Sequence, residues 1–138
     1  MSIVQTQTTS FKKELYQAIH NLSTNTIKIA LYTAEANLNE DTTVYTSTNE
    51  VVASGYTAGG QVMTGVQISS SGSVAYVNWD NVSWSAALTA RCALIYNVTQ
   101  GNKSIAVLDF GSDKTSTTTF TITMPANTST TALIRSSN

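Results

Sequence analysis

Few residues of this sequence have side chains that could perform catalysis or hold a metal ion. The chain has one histidine, His20, and one cysteine, Cys92. His20 falls near the end of a predicted helix, where a surface or interface position is expected rather than a general base. Cys92 lies in an apolar segment, which favours a small buried side chain over a reactive thiol. No spacing of His, Cys, Asp and Glu resembles a zinc site. We therefore predict no catalytic, cofactor-binding or metal-binding residues and a protein that is not an enzyme.

Two turn-rich segments are further candidates for ion binding. Asp109 and Asp113 flank a short turn, but this turn lacks the dense acidic series of a calcium loop, so capping of turn amides is the preferred role. Gly59 and Gly60 are followed by Gln61 instead of the lysine that a phosphate-binding loop requires. Neither segment predicts a ligand site.

Arg91 and Asp109 are the odd charged members of two otherwise apolar runs. If these runs pair as strands, a cross-strand ion pair can form between the two side chains. Such a pair contributes roughly 0.2–1 kcal/mol when exposed and mainly fixes the register of the strands. The expected role is structural.

The charge distribution excludes some classes of partner. Seven basic and eight acidic residues give a net charge of −1, and the largest basic cluster is the pair Lys12-Lys13. A nucleic-acid partner bound through phosphate neutralisation is therefore not expected. The first residues have neither a basic nor an apolar signal region, and no apolar run reaches the roughly 18 residues of a membrane span. We expect synthesis in a cytoplasm and no membrane contact.

Composition points to β structure in an assembly. Only 11% of the 138 residues are charged, against roughly 25% in ordinary globular proteins. Threonine and serine are abundant instead, with 23 Thr and 17 Ser. Threonine is β-branched and suits a pleated sheet. A weakly charged surface can also be covered by neighbouring subunits without burying unpaired charges.

The first part of the chain predicts an arm and a helix. Residues 1–9 are polar and without periodicity, so we expect a flexible N-terminal arm. Ser10 is a candidate N-cap for a helix over about residues 10–22. Apolar residues then recur with the spacing of one helical stripe, which must dock on the sheet or on a neighbouring subunit: Phe11, Leu15, Ala18, Ile19 and Leu22.

The rest of the chain predicts strands. Alternating or continuous apolar runs, separated by turn residues, occur at 26–32, 42–46, 61–69, 74–79, 90–96, 105–110, 119–124 and 132–135. The runs at 90–96 and 105–110 form a central hairpin with apolar side chains on both faces. About eight short strands behind one helix predict a mostly β fold. We expect residues 10–138 to form a single antiparallel β-sandwich domain, jelly-roll-like, with an N-terminal amphipathic helix.

Several stretches together resemble a family of small structural proteins of tailed bacteriophages. They are FKKEL (11–15), IALYT (29–33), TTVYT (42–46), GYTAGG (55–60), ARCALIYN (90–97) and VLDFG (107–111). The resemblance covers most of the chain and contains no catalytic signature. Within that class, a single sandwich of this size resembles the cement or decoration proteins of capsids.

This resemblance implies a function and a set of partners. The chain would be a virion protein of the capsid surface, made in the host cytoplasm, that binds the major capsid protein and clamps neighbouring subunits, as a homodimer or other homo-oligomer. The alternatives are a neck, tail or fibre component, or a carbohydrate-binding module that uses Trp79, Trp84 or the tyrosines. The residues expected to contact partners are Ile3, Val4, Phe11, Leu15, Tyr56 and Trp84.

Overall fold

The computed structural model describes residues 2–136, which form ten β-strands and one α-helix. In chain order these are β1 (Thr6–Gln7), α1 (Thr9–Tyr16), β2 (Ile27–Tyr32), β3 (Gln61–Val62), β4 (Gln67–Ser71), β5 (Val74–Asn78), β6 (Val82–Trp84), β7 (Thr89–Asn97), β8 (Lys103–Thr115), β9 (Phe120–Ile122) and β10 (Ile134–Ser136).

The strands pair antiparallel in three sheets. The largest has the order β1-β8-β7-β2-β3, a second has the order β10-β5-β4, and a third pairs β6 with β9. The predicted mostly β fold, with antiparallel sheets and one short helix, is confirmed. The jelly-roll arrangement is not, because sheets of five, three and two strands differ from the eight strands of two Greek keys that define it.

The five-stranded sheet is apolar on both faces, as the sequence of its central hairpin predicts. Ala93 and Ile95 of β7 belong to one core, whereas Cys92 and Leu94 belong to another on the opposite face. Side chains of the two smaller sheets, such as Trp84, fill the first core. The second core is closed by the segment 33–50 and by the N-terminal segment. Because successive side chains of a strand point to opposite faces, neither face of the central strands β2 and β7 is left to water.

The helix is shorter than the predicted 10–22 and starts at a different cap. Thr8 is the N-cap in place of Ser10, and its Oγ1 accepts a hydrogen bond of 3.3 Å from the N–H of Phe11. The helix ends at Tyr16 because Ala18 adopts φ 58°, and the Ile19 N–H then bonds to the Glu14 carbonyl at 3.1 Å. This is the geometry of a Schellman cap, with alanine in the place that glycine usually takes. Of the predicted apolar stripe, only Phe11 and Leu15 therefore lie on the helix.

The N-terminal segment differs from the predicted flexible arm. Ile3 forms a parallel bridge with Leu38, and β1 pairs with β8 at the edge of the large sheet. Thr8, which follows β1, caps the helix. Residues 2–8 are thus an edge of the domain, and deleting residues 1–9 would remove a strand and a cap. Met1 lies outside the described residues.

Two of the predicted strands differ from the structure in their extent or surroundings. The run 61–69 is divided into β3 and β4, with Gly65 at φ 67° between them. Two of its apolar side chains lie largely outside the core, since Val62 is 50% and Ile68 54% exposed. The run 42–46 contributes only a single bridge, from Val44 to Lys103.

Arg91 and Asp109 form the ion pair that their positions predict. The Arg91 Nε–H donates to Asp109 Oδ1 at 3.3 Å, and both side chains are about a quarter to a third exposed. They are not directly opposite, because an irregularity in the β7–β8 ladder places Asp109 against Cys92. Asp109 Oδ1 also accepts the Gly111 N–H at 2.8 Å, so the carboxylate holds the local backbone where Gly111 has φ 82°. The turn predicted between Asp109 and Asp113 is not formed, because β8 continues through this segment to Thr115.

Exchanging the two charges tests whether this pair contributes to stability. Arg91→Asp and Asp109→Arg are each expected to lower the free energy of unfolding, and the double variant is expected to regain roughly 0.2–1 kcal/mol relative to the sum of the single losses. Urea denaturation of the four proteins measures this coupling. Arg91→Asp combined with Asp41→Arg, an exposed residue of the 33–50 segment, is the control and should be additive. Additive losses for Arg91 and Asp109 as well would contradict the role of the pair.

Candidate interaction surface

Half of the predicted partner-binding residues lie in the core and are corrected by the structure. Phe11 is 0%, Tyr56 8% and Trp84 1% exposed. The Phe11 ring packs on His20 with centroids 4.9 Å apart, and the Trp84 ring lies 6.1 Å from Tyr56. These aromatic side chains are anchors of the fold, since their apolar area is already buried against the chain itself.

The other predicted partner residues lie at the surface or at its margin. Ile3 is partly buried against the second core. Val4 and Leu15 are each 41% exposed. Leu15 is followed by Tyr16, which the sequence reasoning missed and which is 93% exposed. Tyr16 falls outside the predicted apolar stripe, so the only signal for it was a large aromatic residue on the solvent side of a short helix.

Leu15 and Tyr16 border a depression between the helix and the C-terminal strand. It encloses about 320 Å³. We call this region the Tyr16 surface and define it by its lining residues: Gln7, Lys12, Leu15, Tyr16, Arg135 and Ser136. An adjoining depression of about 370 Å³ shares Gln7 and Arg135 and continues along β1 and β8.

Three elements position this surface. Gln7 of β1 donates from Nε2 to the Arg135 carbonyl of β10 at 2.9 Å, which ties the two strands together. The helix follows β1 directly and is held at its start by the Thr8 cap. An exposed aromatic ring, a half-exposed leucine and two cations, Lys12 and Arg135, can together contact a protein surface that offers apolar groups and carboxylates or carbonyls.

A larger depression, of about 500 Å³, runs beside β9. Four of its nine lining residues are threonines, and Phe110 and Phe120 also line it. Phe120 is buried in the first core, and the two rings lie 6.2 Å apart. The depression contains none of the residues predicted to contact partners.

The tryptophans considered for sugar stacking are buried. Trp79 is 5% and Trp84 1% exposed. A stacking platform needs an accessible ring face, so neither residue can form one in this fold. Trp84 instead packs edge-on against Phe120 at 6.2 Å.

The structure contains a buried carboxylate cluster that the sequence reasoning missed. Glu50 is 6% exposed, and its Oε1 accepts the Tyr45 hydroxyl at 2.5 Å. Its Oε2 accepts the Tyr56 hydroxyl at 2.5 Å and the Gly59 N–H at 2.8 Å. The Tyr56 oxygen in turn accepts the Leu31 N–H at 2.9 Å. Three donors therefore satisfy the carboxylate, and the cluster fastens the loops on either side of Glu50 to β2.

The tyrosines around Glu50 are held in their neutral form. Burial, and then the negative charge of Glu50, raise the pKa of Tyr96 to about 12. Burial raises the pKa of Tyr32, Tyr45 and Tyr56 well above the ordinary tyrosine value, and the negative charge of Glu50 raises it further in each of them. Ionising any of these hydroxyls would place a second negative charge beside a buried carboxylate.

His20 is buried, which corrects the prediction of a surface position. Its Nε2 lies 2.8 Å from Glu14 Oε1, and its Nδ1 lies 3.0 Å from Asn97 Nδ2. Since the amide nitrogen of Asn97 can only donate, Nδ1 is the acceptor and Nε2–H donates to Glu14. Both ring nitrogens are occupied by the protein, so His20 joins the end of the helix to the end of β7.

Cys92 is buried, as predicted, at 0% exposed. Burial, and then the charge of Asp109 opposite it, raise the pKa of the thiol to about 12. The thiolate that acts as a nucleophile or metal ligand is therefore negligible at neutral pH.

Two further features of the described chain bear on function. Within residues 2–136, no group of three or more His, Cys, Asp or Glu side chains is placed to hold a metal ion. In the same part of the chain, no helix has the length and apolar character needed to cross a membrane.

Comparison with protein-family models, with curated proteins and with solved structures finds no match to this chain.

Removing the acceptor or the donors of the Glu50 cluster should destabilise the fold in a graded way. Glu50→Ala leaves two buried donors and the half-buried Tyr45 hydroxyl without this acceptor and is expected to cost roughly 3–5 kcal/mol. Tyr56→Phe breaks contacts to Glu50 and Leu31 and should cost roughly 1–3 kcal/mol, whereas Tyr45→Phe, at a half-buried hydroxyl, should cost about 1 kcal/mol. Urea denaturation tests this order. A loss for Tyr45→Phe equal to that for Glu50→Ala would contradict it.

The same tyrosines predict how stability depends on alkaline pH. Their pKa is higher in the folded state than the value of about 10 in the unfolded chain. The contribution of these neutral tyrosines to the free energy of unfolding is therefore complete below pH about 10 and is lost as the pH rises above that value. Spectroscopic titration should show tyrosinate from Tyr32, Tyr45, Tyr56 and Tyr96 only together with loss of the native circular dichroism. Ionisation of all tyrosines in a protein that keeps its native spectrum would contradict this.

Proposed function

We propose that this chain is a non-enzymatic structural protein of a tailed-phage virion. It acts as a cement protein on the capsid surface and clamps neighbouring subunits of the major capsid protein. The observation that carries the proposal is the Tyr16 surface, where a tyrosine that is 93% exposed lies beside a leucine that is 41% exposed. Tyrosine is enriched in the energetic centres of protein interfaces, where its ring supplies contact area and its hydroxyl a hydrogen bond.

The composition of the chain supports a role in an assembly. With 11% charged residues, much of its surface carries hydroxyl and amide groups, which a neighbour can cover at a lower desolvation cost than ionised side chains. The six stretches that resemble small phage structural proteins support the virion class. Five of them, IALYT, TTVYT, GYTAGG, ARCALIYN and VLDFG, fall in or beside the large sheet and the Glu50 cluster, which build the scaffold.

The mechanism is binding without chemistry. A small rigid domain that contacts two capsid subunits at once adds interface free energy across their boundary and opposes their separation by internal DNA pressure. Repetition over a symmetric lattice makes individually weak contacts sufficient, since a second contact made by a bound molecule is effectively intramolecular.

Copy number separates this proposal from a neck, tail or fibre component. A cement protein is present in many copies spread over the head, whereas a neck, tail or fibre protein occurs in a few copies at one place. Quantitative protein analysis of purified heads and purified tails distinguishes the two locations.

Binding to heads that lack the protein tests the role of the Tyr16 surface. Purified wild-type protein is expected to sediment with such heads and to saturate at many copies per head. Because they remove the exposed ring and the neighbouring apolar side chain, Tyr16→Ala and the double variant with Leu15→Ala should lower the affinity roughly 10- to 100-fold, as for interface hot spots.

The control is Val52→Ala. Val52 is 98% exposed and lies in a loop after Glu50, so its truncation also removes an exposed apolar side chain without touching the Tyr16 surface. Binding of this variant should equal that of the wild type. If the Tyr16 variants bound as tightly as the wild type, the Tyr16 surface would not contribute to the interaction. Failure of the wild type to bind heads would overturn the capsid proposal.

A further inference from the structure

We propose that two copies of this chain pair through β4 in antiparallel orientation, so that two three-stranded sheets become one continuous six-stranded sheet. This inference does not depend on the proposed function, because self-pairing can be measured with the purified protein in the absence of any capsid.

The edge formed by β4 is open. β4 pairs with β5 on one side only, and all five of its residues are exposed. Edge strands are usually protected from pairing by lysine, proline or a bulge. The β4 sequence, QISSS, has no charged residue and no proline, and its ladder with β5 runs without interruption from Gln67–Asn78 to Ser71–Val74. Such an edge is a template for another strand.

The turn determines which backbone groups of β4 point outward. The loop between β4 and β5 has two residues, so Ser71 and Val74, which flank it, form a hydrogen-bonded pair. Such pairs alternate along an antiparallel ladder, so Ser69 and Gln67 also bond towards β5. The N–H and C=O groups of Ile68 and Ser70 therefore face away from the sheet, and in residues 2–136 no backbone contact outside the ladder uses them.

These outward groups match those of a second copy when the two-fold axis passes beside Ser69. Ile68 of one copy then lies opposite Ser70 of the other, and each pair exchanges two hydrogen bonds. The contact contains four backbone hydrogen bonds, with the two Ser69 residues facing each other as a non-hydrogen-bonded pair. The two Ile68 side chains become diagonal neighbours, about 7–8 Å apart, and can touch across the axis.

Two properties of the strand favour a copy of itself as the occupant. An isologous contact brings each residue near its own equivalent, and the uncharged β4 does so without like-charge repulsion. Ile68 lies directly opposite Val77, which packs against the first core, yet Ile68 itself is 54% exposed. The Ile68 side chain thus lies on the core-facing side of the edge strand. A second sheet paired with this edge would extend the apolar layer.

Cysteine cross-linking tests both the pairing and its register. Ser69→Cys places two thiols opposite each other with Cα atoms about 4.5 Å apart, within the range of a disulfide. Ser71→Cys is the matched control, since it is an equally exposed serine of the same strand. In the proposed register its two copies are offset by four residues, roughly 13 Å, which no disulfide spans. Cys92 is fully buried and does not compete.

Under mild oxidation, Ser69→Cys is expected to form a covalent dimer while Ser71→Cys stays monomeric. Adding Ser70→Pro, which removes an outward N–H, or Ile68→Lys, which places two like charges near the axis, should abolish the Ser69→Cys dimer. Urea denaturation and near-ultraviolet circular dichroism verify that these variants remain folded. Equal cross-linking at both serines, cross-linking at neither, or a Ser69→Cys dimer that survives both changes would overturn the proposal. So would protection of the introduced thiol of Ser69→Cys by capsids alone, since β4 would then pair with a different protein.

Discussion

The fold depends on one constraint, which is that the sheet built around β2, β7 and β8 is apolar on both faces. Each face carries aliphatic side chains, and burying them stabilises the fold by roughly 25 cal/mol per Å² of apolar area. The two small sheets cover one face, and the 33–50 segment with the N-terminal residues covers the other. The chain has no second helix for this purpose in the part that the structure describes, so irregular segments must be held against the sheet by polar contacts.

Those polar contacts explain where the rare ionisable residues are used. Glu50 accepts hydrogen bonds from two tyrosines and a backbone N–H, and so fastens the covering loops to β2. His20 links Glu14 of the helix to Asn97 at the end of β7. The ion pair of Arg91 and Asp109 links β7 to β8 where their ladder is irregular. The groups that could have carried chemistry stabilise the scaffold, and the exposed helix face and the open sheet edge are left for contacts with other molecules.

Alternation of apolar residues is sufficient to predict the class of the fold and most strands, because burial on a pleated sheet imposes a period of two. It cannot predict the pairing of β1 with β8, since two residues are too few to show a period. The end of the helix depends on the left-handed backbone of Ala18, a residue that ordinarily favours helix.

The candidate surface is predictable only in part. The apolar stripe identifies Leu15, but Phe11, Tyr56 and Trp84 are wrongly assigned to partners because large aromatic residues serve equally in cores and interfaces. Which of these roles a residue takes depends on contacts between distant segments, such as that of Tyr56 with Glu50 and Leu31. Tyr16 has no periodic signal at all. The charge of Glu50 likewise suggests a surface residue, and only the assembled tyrosines explain its burial.

A cryo-electron microscopy map of the parent particle tests the central claim most directly. The account predicts density for this domain in many copies across the head, at boundaries between major-capsid subunits, with Leu15 and Tyr16 of the helix turned towards the capsid. Density confined to the neck, tail or fibres, or a domain on the head whose helix faces solvent, would contradict it.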